Sequence, residues 1–134
     1  MKGFVANIET IALANKHFRQ VLYTARHCQL VVMSLPPGQD IGMERHTLDQ
    51  FFKIENGSGE VRINGRITGI HKGFSIVVPA GAEHNITNTG LDDLKLYTLY
   101  APPNHLDGTC HPTRADAQAD HEKFDGKTSE SSTT

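Results

Sequence analysis

Two stretches of this chain carry side chains able to hold a metal ion. The first, Gly42 to Gln50, reads Gly-Met-Glu-Arg-His-Thr-Leu-Asp-Gln and supplies Glu44, His46 and Gln50. The second, Gly73 to Asn88, contains the turn Pro79-Ala80-Gly81 and, two residues on, Glu83 and His84. Two imidazoles with one or two oxygen donors suit Zn²⁺, Fe²⁺, Mn²⁺ or Ni²⁺ and disfavour Ca²⁺. Unpartnered burial of these groups would cost several kcal/mol for the carboxylate and about 1 to 3 kcal/mol for each neutral group. One divalent transition-metal ion removes most of that cost.

Whether the donors can meet depends on strand alternation. Glu44 and His46 are two apart and share one face of a strand. Gln50 shares parity with Phe52 and Ile54, so its face is interior, while Asp49, Lys53 and Glu55 fall on the exterior with Phe51 as the exception. Thr47-Leu48-Asp49 is short enough to bring Gln50 beside His46. His84 shares parity with Ile86. One polar set therefore points into an otherwise apolar lumen. A single His on an apolar strand is ordinarily a satisfied core residue; four donors from separate segments make the metal reading the stronger one.

The elements that must position these donors are short strands. Apolar runs alternate with turn signals every 8 to 12 residues, as in a β-sandwich or barrel. Strands are expected at 18–24, 29–33, 41–46, 49–55, 60–64, 67–70, 75–78, 84–87 and 94–100. Asn56-Gly57-Ser58-Gly59 reads as a hairpin connection, and Asn64-Gly65 as a type I′ hairpin turn. Closure of the sheet hides its edges. After Ala101-Pro102-Pro103 the composition changes. Thr113 with Asp116 resembles a capping box opening a helix over 115–124, and the Ser/Thr-rich stretch 126–134 is expected to be disordered. The division is thus a barrel domain over 1–104 and an extension over 105–134, partly helical and then disordered.

The 134 residues suit one domain, burying roughly two thirds of the unfolded surface. A formal charge of −2 leaves no basic stripe, so nucleic acid is not an expected partner. No apolar run approaches the ~20 residues that span a bilayer, and residues 1–7 lack the apolar core of a secretory signal. Two cysteines make no disulfide framework. A cytoplasmic location with reduced thiols is expected, with Cys28 in the core and Cys110 in a His-rich loop.

The two stretches resemble the two motifs of the cupin superfamily. The second matches at every fixed position: Gly73, Pro79, Gly81, His84 and Asn88. In the first, Glu44 stands where a His is expected, His46 matches, Gln50 replaces a Glu, and Gly57 closes the motif. The opening glycine is displaced to Gly38. The resemblance implies an all-β jelly-roll barrel (a double-stranded β-helix). The stretch Leu96 to His105, with Asp107-Gly108-Thr109, is similar to small cupins described as mannose-6-phosphate isomerase-like. That likeness implies a metal-binding barrel, commonly a homodimer. Zinc-dependent phosphomannose isomerases are similar in using two His, one Glu and one Gln, with Glu44 and Gln50 here in swapped places.

Three functions follow as expectations. The first is a metal-dependent isomerase of a sugar or sugar phosphate, in which Glu44 is a ligand or the base and Tyr100 a proton relay. Against a phosphorylated substrate, Arg45 and Lys53 have exterior parity, and nothing places Arg26, Arg66 or Lys72 at the rim. The second is an Fe²⁺ dioxygenase built on two His and one carboxylate. The third is a non-catalytic module binding a small carbohydrate-like ligand. His105, Asp107 and His111 read as a solvated loop, His71-Lys72-Gly73 as a turn, and Phe51 as a contact between the two copies of a dimer.

Overall fold

Period-2 alternation needs a partner sheet to bury one face of every strand. The computed structural model, which describes residues 1–131, supplies it with ten strands in two antiparallel sheets. The strands are β1 (Arg19–Thr24), β2 (Gln29–Leu35), β3 (Glu44–Arg45), β4 (Asp49–Asn56) and β5 (Ser58–Ile63). They continue with β6 (Arg66–His71), β7 (Ser75–Val78), β8 (Glu83–Asn88), β9 (Leu94–Ala101) and β10 (Cys110–His111). The large sheet runs β10-β1-β2-β9-β4-β7 and the small one β3-β8-β5-β6. Their inner faces enclose a core that includes Met33, Leu35, Phe52, Ile54, Ile86, Leu94 and Leu96, each at most 1% exposed. The chain has the all-β architecture of two facing antiparallel sheets expected from the motifs, with a short C-terminal helix.

A helix missing from the expected set, α1 (Ile8–Ala14), lies against β2, β4 and β9. Its signal is brief: Asn7 caps it by accepting from the Thr10 N–H, and Ile8, Ile11 and Ala12 line one face. This cover explains why every residue from Val31 to Leu35 is buried. At the other end, α2 (Arg114–Ala119) has the expected Thr113–Asp116 capping box but stops well before 124.

Four local expectations are corrected. The segment 41–46 is strand only at Glu44–Arg45, because Gly42 adopts a φ of 110° and breaks the extended run. Asn56-Gly57 is no hairpin: β4 pairs with β7 and β9, β5 with β6 and β8, so the chain changes sheets there. Glu55 is buried rather than exterior, since the register shifts between Ile54 and Asn56 and its carboxylate takes the Lys53 ammonium at 2.8 Å. Cys28 is exposed, not in the core, because it stands in the turn before β2. The Asn64-Gly65 hairpin is as expected, with φ of 48° and 84° and Ile63 opposite Arg66.

Disorder over 126–134 meets a different picture up to Ser131. The Ser129 N–H donates to Thr24 O at 2.9 Å, and Tyr23 Oη donates to Glu130 at 2.5 Å. Residues 132–134 lie outside the described residues.

Candidate metal centre

Two cross-strand pairs, one in each sheet, set the geometry. In the small sheet Glu44 of β3 stands directly opposite His84 of β8. In the large sheet Gln50 of β4 stands opposite Tyr100 of β9. The sheets face each other, so the two pairs meet across the lumen, and Gln50 Oε1 lies 3.2 Å from His84 Nε2. His46 follows β3 directly; its carbonyl accepts from the Gly81 N–H at 2.7 Å, which ties it to the turn before β8. The His46 and His84 ring centroids are 5.4 Å apart. The ligating atoms of Glu44, His46 and His84 all lie within 4.8 Å of one another. The structure thus brings together all four residues singled out in the sequence.

Proton bookkeeping tests whether a cation fits. His84 Nδ1 donates to Ala82 O at 3.0 Å, a pure acceptor, so the remaining nitrogen of a neutral ring is a lone pair. Gln50 Nε2 donates to Thr98 Oγ1 at 3.0 Å, which turns its carbonyl oxygen toward that lone pair. Two acceptors therefore face each other. Beside them, the buried His46 Nε2 lies 2.5 Å from Glu44 Oε2, an ion pair when the imidazole is protonated but poorly aligned as a hydrogen bond. With both rings neutral, four lone pairs point inward, and one divalent cation would satisfy them together. The enclosed cavity, lined by Met33, Glu44, Gln50, Phe52, His84 and Tyr100 among others, is about 10 Å³, the room of one ion or one water. Glu44, His46 and His84 form a candidate metal site.

Electrostatics keep the carboxylate charged. Burial pushes the Glu44 carboxyl up, but the hydrogen bond and charge of a protonated His46, with the charges of Arg19 and a protonated His84, outweigh it and leave the group below the usual range when no cation is bound. Tyr100, 1% exposed and 5.9 Å from the His46 ring, is pushed up to about 12, chiefly by burial. It stays protonated across ordinary pH.

Other groups near the site escaped the sequence reading. Thr98 orients the Gln50 amide. Arg19 is only 7% exposed, and its Nη2 is 4.0 Å from Glu44 Oε1. Its signal was a charged residue at the same parity as Val21. The expected solvated loop is corrected for two of its members: His105 and His111 are buried. His105 Nδ1 pairs with Glu122 at 2.5 Å and its Nε2 lies 3.3 Å from Tyr100 Oη. His111 Nε2 pairs with Asp120 at 3.0 Å. Two carboxylates of the C-terminal segment, unpredictable from the loop itself, replace the water. Arg26, Arg66 and Lys72 are exposed and do not line the cavity.

An antiparallel double sheet with histidines and a carboxylate converging in its lumen defines a small β-barrel with a candidate metal site. The cupin domain family matches residues 31–100, and the chain belongs to that family. It is 46% identical over 125 residues to uncharacterized protein YrkC of Bacillus subtilis, covering 88% of this chain and 67% of that protein. The crystal structure of BH2720 from Bacillus halodurans superposes with a TM-score of 0.86 at 43% identity, over 89% of this chain and 96% of that one. A Thermotoga maritima protein described as a predicted oxalate decarboxylase aligns at 29% identity and TM-score 0.54, over 55% of this chain and 65% of that one.

Proposed function

We propose that this cupin is a mononuclear metalloenzyme that isomerises a small sugar-like hydroxy-carbonyl compound, with Glu44, His46, Gln50 and His84 holding the ion. One observation carries the reading: the lone-pair donors of Glu44, His46, Gln50 and His84, from three strands and a turn, converge at one point of the lumen. A bound divalent ion supplies Lewis acidity toward a carbonyl and its neighbouring hydroxyl. Glu44 would hold the ion together with His46, Gln50 and His84; its Oε2 lies beside His46 and its Oε1 faces Arg19, so a carboxylate oxygen not engaged by the ion would be placed to take a proton from substrate carbon. Tyr100, kept protonated by burial, donates toward a developing oxyanion and cannot act as a base. The small cavity favours a substrate of few heavy atoms over a hexose phosphate.

Elemental analysis of protein purified without added metal, beside His46→Ala and His84→Ala, tests the site. One ion per chain in the natural protein and a fall to near zero in both variants is expected; equal content in all three removes the site. Turnover is then read by NMR in D₂O, with glyceraldehyde and mannose 6-phosphate as parallel substrates. Deuterium incorporation at the carbon beside the carbonyl is the expected signature.

The two-His, one-carboxylate set also fits an Fe²⁺ dioxygenase. Oxygen consumption on adding Fe²⁺ and substrate would select that reading, since isomerisation consumes none. Tight metal loading with neither signal leaves a binding module. Assembly as a homodimer rests on the outer face of the large sheet, where Phe51 stands opposite both Val77, which is 68% exposed, and Leu99. Sedimentation of natural and Phe51→Lys protein tests it. The free, exposed thiols of Cys28 and Cys110 suit a reducing cytoplasm.

A further inference from the structure

Arg19 is a buried cation whose Nε has no hydrogen-bond partner. Its side chain enters the lumen from β1, at the same parity as the core residue Val21. Nη1 lies 3.4 Å from His111 Nδ1, and the guanidinium carbon sits 5.2 Å over the Phe18 ring. These contacts hold one end of the planar fork, and the buried Tyr100 hydroxyl is a further neighbour of the guanidinium. Nε and Nη2 share the other edge. Nε is buried without any hydrogen-bond partner, and Nη2 stops 4.0 Å short of Glu44 Oε1, beyond hydrogen-bond range. A buried guanidinium N–H left unpaired is costly, and Glu44 does not satisfy this one.

From this we infer that Arg19 is a substrate-binding residue whose Nε–Nη2 edge receives the carboxylate of a small hydroxy- or oxo-carboxylate that reaches the metal centre. Two parallel N–H donors match two carboxylate oxygens. The edge faces Glu44, so a carboxylate seated on it in place of the 4.0 Å Arg19–Glu44 contact would stand next to the donor set, with the side chains around the small cavity parting to admit the molecule and its adjacent oxygen turned toward Glu44, His46 and His84. The inference rests on the metal reading above and narrows its substrate class from sugar-like compounds in general to those bearing an acid group. It also supplies the cationic contact that exposed Arg26, Arg66 and Lys72 do not provide.

The test uses the full chain loaded with Mn²⁺, and titration calorimetry with glycolate and with glycolamide, its uncharged analogue. Electron paramagnetic resonance of the Mn²⁺ counts bound metal independently. Glycolate should bind the natural protein about ten- to a hundred-fold tighter than glycolamide, the range of one hydrogen bond between charged partners. Arg19→Met should erase that preference, with affinities taken per bound Mn²⁺, and Arg19→Lys should restore part of it. Equal affinity for the two probes in the natural protein overturns the inference without any variant, so a variant that fails to fold does not shelter it. A preference that survives Arg19→Met also overturns it. Lower metal content in Arg19→Met, with glycolate preference per bound ion intact, makes Arg19 only a counter-charge to Glu44. Absence of bound Mn²⁺ in the natural protein defeats the metal reading itself, and this inference with it.

Discussion

Replacing Asn88 by alanine should cost this fold about 3 kcal/mol while removing no group from the candidate metal centre. Asn88, the last fixed position of the second motif, is 0% exposed. Its Nδ2 donates to Leu35 O and to Asp92 O, both at 2.8 Å, and its Oδ1 accepts from the Gly90 N–H at 2.9 Å. Its own backbone is bonded to the loop after β2, donating to Gln39 O and accepting from Gly38. Each side-chain bond contributes about 1 kcal/mol net, and a buried carbonyl left bare, as Leu35 O would be, costs about 1 to 3 kcal/mol more. The bonds to Asp92 and Gly90 are only partly buried, so water recovers some of their loss. The sum is about 2 to 4 kcal/mol. For a chain of this length that is a drop in Tm of roughly 10 °C. Urea unfolding read by circular dichroism measures it. Asn88→Asp should be worse than alanine, because it turns a carboxylate oxygen toward two carbonyls. A loss under about 1 kcal/mol for Asn88→Ala, or an aspartate variant as stable as the natural protein, would refute the reasoning that this motif residue staples the strand ends.

Three further outcomes are expected. Thr98→Val removes the acceptor that orients the Gln50 amide, and should weaken metal affinity about ten-fold with little change in fold, measured by competition with a chelator. Gly59→Ala would place a Cβ 2.3 Å from Thr87 O, a backbone atom, so β5 and β8 must part; a loss of about 1 to 3 kcal/mol or more is expected by urea titration. Stability should fall as pH drops below neutrality, in two stages. Burial, opposed by Glu122, holds His105 below its ordinary value of 6.5. The unfolded chain therefore binds that proton first, and stability declines as pH falls below about 6.5. Burial pushes Glu122 up, but the His105 and Leu106 contacts hold it below its ordinary value of 4.5. Its contribution is accordingly present above 4.5 and is lost as pH falls through its lowered folded value. Thermal melts of natural and His105→Gln protein from pH 7 to pH 4 check the sign, and the variant should lack the first stage.

Much of the fold was legible because alternation and turn chemistry are local. Ile54 and Phe52 declare an interior face by parity alone, and Asn64-Gly65 declares a hairpin because both residues tolerate positive φ. The helix Ile8–Ala14 was less legible, since two turns carry few apolar positions and most of its stabilisation comes from the sheet beneath it. Asn56-Gly57 has hairpin chemistry but no hairpin. The partner of a strand is decided by which sheet completes the core, and Gly57 is held where a Cβ would lie 2.9 Å from Asp93 O.

For the site, the spacing of Glu44, His46, Gln50 and His84 determined the chemical types and which face each would take. Only the tertiary structure decided that Glu44 stands opposite His84 and Gln50 opposite Tyr100, and that the two pairs meet across the lumen. It alone brought Arg19 against Glu44, and Glu122 and Asp120 onto His105 and His111. Parity is a property of one strand and can be read from its residues. Contact between residues far apart in the chain is fixed by the closure of two sheets around a shared core, and no local pattern encodes it.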